Sequence, residues 1–195
     1  MNNLFYKVRG YFITNNTIIK KFWINQFAAS LLGIMITWPL RIFSNRHPSF
    51  GMLPELVSLL FCGGFFCFLI YDIIYEMGSK DFLRINHQNA AYDPYKALRL
   101  VMFSYIPTLI FTVLGVIFFI SGYGNGYAVI SIIMNVAIHA MYVGLFFILP
   151  LNINIIAFPI SILITVVFGS LAYYLGIHDK TLRGVLGFKV KVNKE

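Results

Sequence analysis

The chain has 195 residues, of which 59% are hydrophobic and only 11% charged, with a net charge of +8 and a mean hydropathy of +0.78. A soluble domain carries roughly 25% charged residues, so a water-facing globular fold is excluded. No Asp, Glu, Lys or Arg occurs from Leu100 to His178, a stretch that a bilayer accommodates because apolar side chains need no solvation there.

The 15 Lys and Arg against 7 Asp and Glu read as a positive-inside bias and an attraction to anionic lipid headgroups. No basic-aromatic module is large enough to fold as a nucleic-acid-binding domain, so nucleic acid is not an expected partner. The lipid bilayer is, and a membrane protein partner is a second possibility.

Met1 to Lys21 mixes apolar residues with Lys7, Arg9, Lys20 and Lys21. It is too short and too charged to span. An amphipathic segment on the membrane surface is expected, with a disordered tail as the alternative. Phe22 to Leu40 is uncharged and of membrane length, the first expected transmembrane helix, ending near Pro39 with Trp38 in the interface. Arg41 and Arg46 follow it in place of a small-residue cleavage site, so it is not read as a cleaved signal. Arg41 to Met52 is a polar loop.

The second helix is expected over 53–75. Pro54 suits its first turn, and Glu55 suits the positive end of the helix dipole. Gly63-Gly64 permits close helix approach. Cys62 and Cys67 match neither a metal-ligand spacing nor a redox pair and read as small buried hydrophobes. From Glu76 to Lys96 the chain is polar, and Asp93-Pro94 signals a turn or a helix start.

The third helix is expected over 97–120. Pro107 should kink it and free a carbonyl near Phe103, with Ser104, Thr108 and Thr112 available to satisfy the backbone. Ser121 to Gly126 is a turn. The fourth helix is expected over 127–149. Asn152 and Asn154 satisfy backbone at the next break. The fifth helix is expected over 155–175, with Gly176 as its C-cap, and 178–195 forms a basic tail. The whole chain is one domain: an all-α integral membrane bundle of about five transmembrane helices with an amphipathic N-terminal segment.

Five spans leave the orientation contested. With the N-terminus inside, eight Lys and Arg lie inside and seven outside. The first two helices favour N-inside, and the basic tail favours the inside too. A re-entrant pair formed by the fourth and fifth segments, or a miscounted span, would resolve the conflict.

Two groups of residues are candidates for function. Ser131, Asn135, His139 and Tyr142 form one polar stripe if the fourth helix is continuous. Polar groups at bilayer depth face the protein interior or a wet cavity. An imidazole titrates near neutrality and suits proton relay or substrate binding. Alternatively, the stripe hydrogen-bonds a neighbouring helix and holds the bundle together. Asp72, Glu76 and Lys80 share one helix face, beside Tyr71 and Tyr75. Two carboxylates one turn apart suit cation binding or a base. The alternative is an interfacial helix end with Glu76 paired to Lys80. Asn25 and Gln26 open the first helix and are expected to hydrogen-bond the Asp72 end.

No HExxH, Walker A, GxSxG or GxGxxG pattern occurs. Catalytic residues, a metal and a cofactor are therefore not expected, although an enzyme is not excluded on that ground. The leading reading is a non-catalytic, partner- or ligand-binding membrane component, with a transport accessory role possible. The alternative is a proton-coupled transporter or channel using His139 and Asp72.

Four strings carry a resemblance: Asn25-Gln26; Tyr71-Asp72 with Glu76, Gly78 and Lys80-Asp81; Met141-Tyr142-x-Gly144; and Tyr173-Tyr174-Leu175-Gly176. In their order and spacing, from Asn25 to Gly176, the chain resembles a group of small multi-spanning membrane proteins of Gram-positive gut bacteria. That group has no assigned activity. The resemblance implies a bacterial plasma-membrane location and no mechanism.

Overall fold

The computed structural model describes residues 2–88, 91–150 and 153–180, with side chains from Arg9 onward. Asn152 and the basic tail beyond Lys180 lie outside the described residues. The described chain is helical without strands. Its helices are α1 (Asn2–Arg46), α2 (Leu53–Gln88), α3 (Lys96–Ser104), α4 (Ile106–Ile120), α5 (Gly124–Ile138), α6 (Ala140–Ile148) and α7 (Asn154–Ile177). Three stretches are long and apolar enough to cross a membrane: Arg9–Arg46, Leu53–Gln88 and Asn154–Ile177. The bent pairs α3–α4 and α5–α6 bring the number to five if each is one span. Ile24, Leu60, Ile120 and Leu163 are each more than 60% exposed. So many large apolar side chains on the outer surface fit a lipid environment rather than water.

The N-terminal segment is not separate from the first span. One helix runs from Asn2 to Arg46, through Lys20 and Lys21 and past Pro39. Thr14 Oγ1 and Asn15 Nδ2 donate back to the carbonyls of Gly10 and Tyr11, so these polar residues stay within the helix. Pro39 forfeits one internal hydrogen bond without ending it. Likewise α2 continues past Tyr75 to Gln88, and its apolar half contains a π-turn at Leu59–Gly63. The Asp93-Pro94 signal does open a helix: Tyr95 N donates to Asp93 Oδ1 ahead of α3.

Pro107 kinks the segment as expected, but the hydroxyls of Ser104, Thr108 and Thr112 bond elsewhere than the Phe103 carbonyl. The chain bends by 60° between α3 and α4, at Tyr105. The carbonyl of Ser104 accepts from Trp23 Nε1 at 2.8 Å, and Thr112 Oγ1 donates to Thr108 O. The fourth segment departs from expectation. It is not one helix over 127–149 but α5 and α6, meeting at 97° around His139. A π-turn over Ile133–Ile138 precedes the break, and a 3₁₀ turn over Ala140–Tyr142 follows it.

The interface of α2 with α7 is the most extensive in the bundle, and the two helices run parallel. Gly169 sits beside Ile70 and Ile74, and Gly176 sits beside Tyr75, Gly78 and Ser79. Gly176 is therefore inside α7 and not its C-cap, which is His178. A side chain at Gly176 would place Cβ 2.5 Å from the Tyr75 carbonyl, and one at Gly78 would place it 2.7 Å from the Tyr173 carbonyl. Small residues here allow two backbones to touch, the usual device for helix association in lipid.

α1 runs antiparallel to α2. Phe22 packs edge-on to Phe66, Thr37 Oγ1 meets Ser58 Oγ, and Arg41 pairs with Glu55 at 2.6 Å. The N-terminal half of α1, the end of α2, the start of α3 and the end of α7 thus share one end of the bundle. From that end, α3 descends to Tyr105, whose ring meets Phe22. At the opposite end, Ser131 and Asn135 of α5 border a cavity with Thr37, Trp38 and Arg41. α5 rises from there to Ile138, which lies level with Gln26 and Ser30. α6 then turns back, packing Gly144 on the Glu55 carbonyl and Phe147 beneath the Arg41 guanidinium.

Candidate functional site

The sequence candidates separate into an interior network and a charged end. In the interior, breaking the chain at His139 releases the Ile138 carbonyl. Two α1 side chains satisfy it: Ser30 Oγ donates at 2.8 Å and Gln26 Nε2 at 3.3 Å. Gln26 also reaches Thr108 Oγ1. Gln26 therefore serves the break and not the Asp72 end, and Asn25 makes none of these bonds. Non-helical backbone at membrane depth persists only where protein satisfies its polar groups in this way.

His139 is buried, with Nδ1 2.7 Å from Ser161 Oγ. The Ser161 hydroxyl hydrogen is already directed at Phe158 O. His139 Nδ1–H must then be the donor, which leaves Nε2 as a bare acceptor without a partner among the described residues. Thr165 Oγ1 spends its hydrogen on Ser161 O, so it accepts from both Tyr105 and Tyr142. Cys67 Sγ lies 3.4 Å from the Tyr142 hydroxyl. The hydrogen-bond directions all converge on the α7 backbone, and the network ties α2, α3, α6 and α7 together.

The polar stripe is accordingly split. His139 and Tyr142 join this network, whereas Asn135 donates to Ser131 at 3.3 Å, half-buried beside the cavity at the Arg41 end. The π-turn and the bend destroy the i, i+4 register that placed all four on one face. Asn154 accepts from the Tyr127 hydroxyl at 2.7 Å, joining the start of α7 to α5 rather than closing a turn. Ser161→Ala should leave the His139 Nδ1–H donor unpaired. An orphaned buried donor costs about 1–3 kcal/mol, which thermal unfolding in detergent would register as a lowered midpoint.

At the charged end, Glu76 and Lys80 form the expected pair at 2.7 Å, both exposed. Tyr71 stacks on Tyr75. Asp72 is exposed and belongs neither to this pair nor to the interior network. The focus is a residue outside the 72/76/80 face. Asp81 is nearly buried and accepts from Lys96 Nζ through both oxygens, at 2.8 and 2.6 Å, and from the Tyr173 hydroxyl at 3.0 Å. One carboxylate thus joins α2, α3 and α7. Its sequence signal lay in the buried positions Ile74, Met77 and Gly78. With Asp81 they fall at i, i+3, i+4 and i+7, the core-facing stripe of a helix.

Around Asp81 lies a cavity of about 560 Å³ between α1 and α2. Ile18, Ile73 and Met77 form its apolar wall. Its charged lining is Lys21, Lys80, Arg84 and Lys96 against Glu76 and Asp81. No group of three or more His, Cys, Asp or Glu able to hold a metal occurs among the described residues. Comparison with protein-family models, curated proteins and solved structures finds no match to this chain.

Proposed function

We propose that the chain is a membrane-embedded binding component without catalytic activity, and that its site is the charged cavity around Asp81. The observation that carries this reading is the pairing of a rigid, buried anchor with an open polar cavity where the apolar runs of α1 and α2 end. Asp81 fixes α2, α3 and α7, so the α2 wall and the Lys96 side of the cavity are preorganised. The interior network, by contrast, is closed around His139 and supports a structural role.

The path of the chain favours an orientation. α1, α2, the bent α3–α4 unit and α7 pass through the bundle, while α5–α6 enters and leaves at the Arg41 end. Four passages put the start of α1 and the end of α7 on one side. Arg9, Lys20, Lys21, Lys80, Arg84, Lys96, Arg99 and Lys180 all belong to that side, against Arg41 and Arg46 opposite. The positive-inside rule then makes the cavity side cytoplasmic. A bacterial plasma membrane is the location that the family resemblance implies.

A native mass spectrum of the full chain, extracted in mild detergent, tests the binding role. A defined ligand or a stoichiometric second polypeptide is expected, and Thr14→Trp, which fills the cavity from an exposed position, should remove it. A protein that carries neither, or whose cargo is indifferent to Thr14→Trp, would overturn the reading.

A further inference from the structure

The cavity is electrostatically incomplete. Its six charged groups are four cations and two carboxylates, which leaves two positive charges unmatched. Glu76 is taken by Lys80, and Asp81 is taken by Lys96. Arg84 Nη1 makes only a long ion pair with Asp81 Oδ1, at 3.8 Å and beyond hydrogen-bond distance, and its side chain is 62% exposed. Lys21 makes no ion pair among the described residues, yet it acts on Glu76 from across the cavity. Tyr11, also in the lining, stacks on Phe103 and has a hydroxyl without an acceptor among the described residues.

The donors that remain open to the cavity are therefore a planar guanidinium and an ammonium, set above an apolar wall. A carboxylate offers only two acceptor oxygens. A phosphate group carries one to two negative charges and several acceptor oxygens, and guanidinium binds it through two parallel hydrogen bonds. Resting on the binding role above, we propose that this cavity takes a phosphate ester, with Arg84 and Lys21 as its principal ligands. Two sources share that chemistry: the headgroup of an anionic phospholipid and a soluble phosphorylated compound. Ile18, Ile73 and Met77 lie where the first carbons beyond a lipid phosphate would rest.

The full chain in a neutral detergent is titrated with dioctanoyl phosphatidylglycerol, dioctanoylglycerol and glycerol phosphate. Saturable one-to-one binding of a phosphate-bearing probe is expected, with none for dioctanoylglycerol. Binding of phosphatidylglycerol alone identifies a lipid headgroup, and equal binding of glycerol phosphate identifies a soluble source. Arg84→Gln and Lys21→Gln should each weaken binding about tenfold, the scale of one charge-assisted contact. Both side chains are exposed, so these variants keep the fold. Arg46→Gln, at the opposite end, should change nothing. Equal affinity for dioctanoylglycerol, or indifference to both cavity variants, would overturn the assignment. If a phosphorus-free ligand co-purifies and is lost in Thr14→Trp, the binding role stands and the phosphate assignment falls.

Discussion

Gly176→Leu should abolish accumulation of folded, monodisperse protein. A Cβ at this position would lie 2.5 Å from the Tyr75 carbonyl, 3.0 Å from Ser79 N and 3.1 Å from Gly78 Cα. Every one of these atoms is backbone, so no side chain can rotate away. The two helices would have to separate along the largest interface in the bundle, unseating Gly169 from Ile70 and Ile74 and drawing Tyr173 off Asp81. Overpacking a yielding site costs about 1–3 kcal/mol, and an unyielding backbone contact should exceed that range. Gly64→Ala is the matched control, because a Cβ there meets nothing within 4 Å. It should leave thermal stability unchanged or slightly raised, since alanine is the better helix former. Size-exclusion profiles and melting curves of the two variants side by side check both halves of the expectation.

Asp81→Asn is expected to be the most damaging single charge change. The variant removes the countercharge from Lys96, whose side chain is only 27% exposed, and leaves a single oxygen to accept from Lys96 and Tyr173. Breaking a fully buried pair costs about 3–5 kcal/mol. With Lys96 partly in contact with solvent, about 2–3 kcal/mol is the proper scale. The loss should be largely indifferent to salt, because Asp81 is shielded. Lys96→Met in the same chain should recover part of the stability, a coupling that a double-mutant cycle reads directly. Glu76→Gln breaks a pair whose members are both more than half exposed. It should shift stability by no more than about 0.5 kcal/mol. A comparable loss in both variants would remove Asp81 from its place as the anchor.

The contrast between these two carboxylates shows what the sequence could and could not convey. The i, i+4 spacing finds Glu76 and Lys80 because both partners lie on one helix. The hydrogen-bond partners of Asp81 lie 15 and 92 residues away, and no local pattern links them; only the long ion pair to Arg84 is local. Asp81 also sits one position past Lys80, about 100° round the helix, so a reading built on the 72/76/80 face passes over it. The membrane class followed from composition alone, and the kink at Pro107 followed from the missing amide hydrogen. The break at His139 carries no such mark. No proline or glycine stands at that point, and the bend persists because Gln26 and Ser30, more than a hundred residues away, accept its cost. Tertiary satisfaction of a broken backbone is invisible in the segment that breaks. The continuous α1 was missed for a related reason. Lys20 and Lys21 end the apolar run but not the helix, since lysine is a good helix former.

The central claim is that the charged cavity, the start of α1 and the end of α7 share one side of the membrane, with the Arg41 end on the other. Cysteine accessibility in sealed cells tests it most directly. Cys62 and Cys67 are buried and give a silent background. Single cysteines replace Arg46, Arg84 and Lys180, and each variant is treated with a membrane-impermeant maleimide before and after permeabilisation. Arg46→Cys should label in intact cells, whereas Arg84→Cys and Lys180→Cys should label only after permeabilisation. Labelling of Lys180→Cys on the same side as Arg46→Cys would contradict the four-passage path and the site built on it.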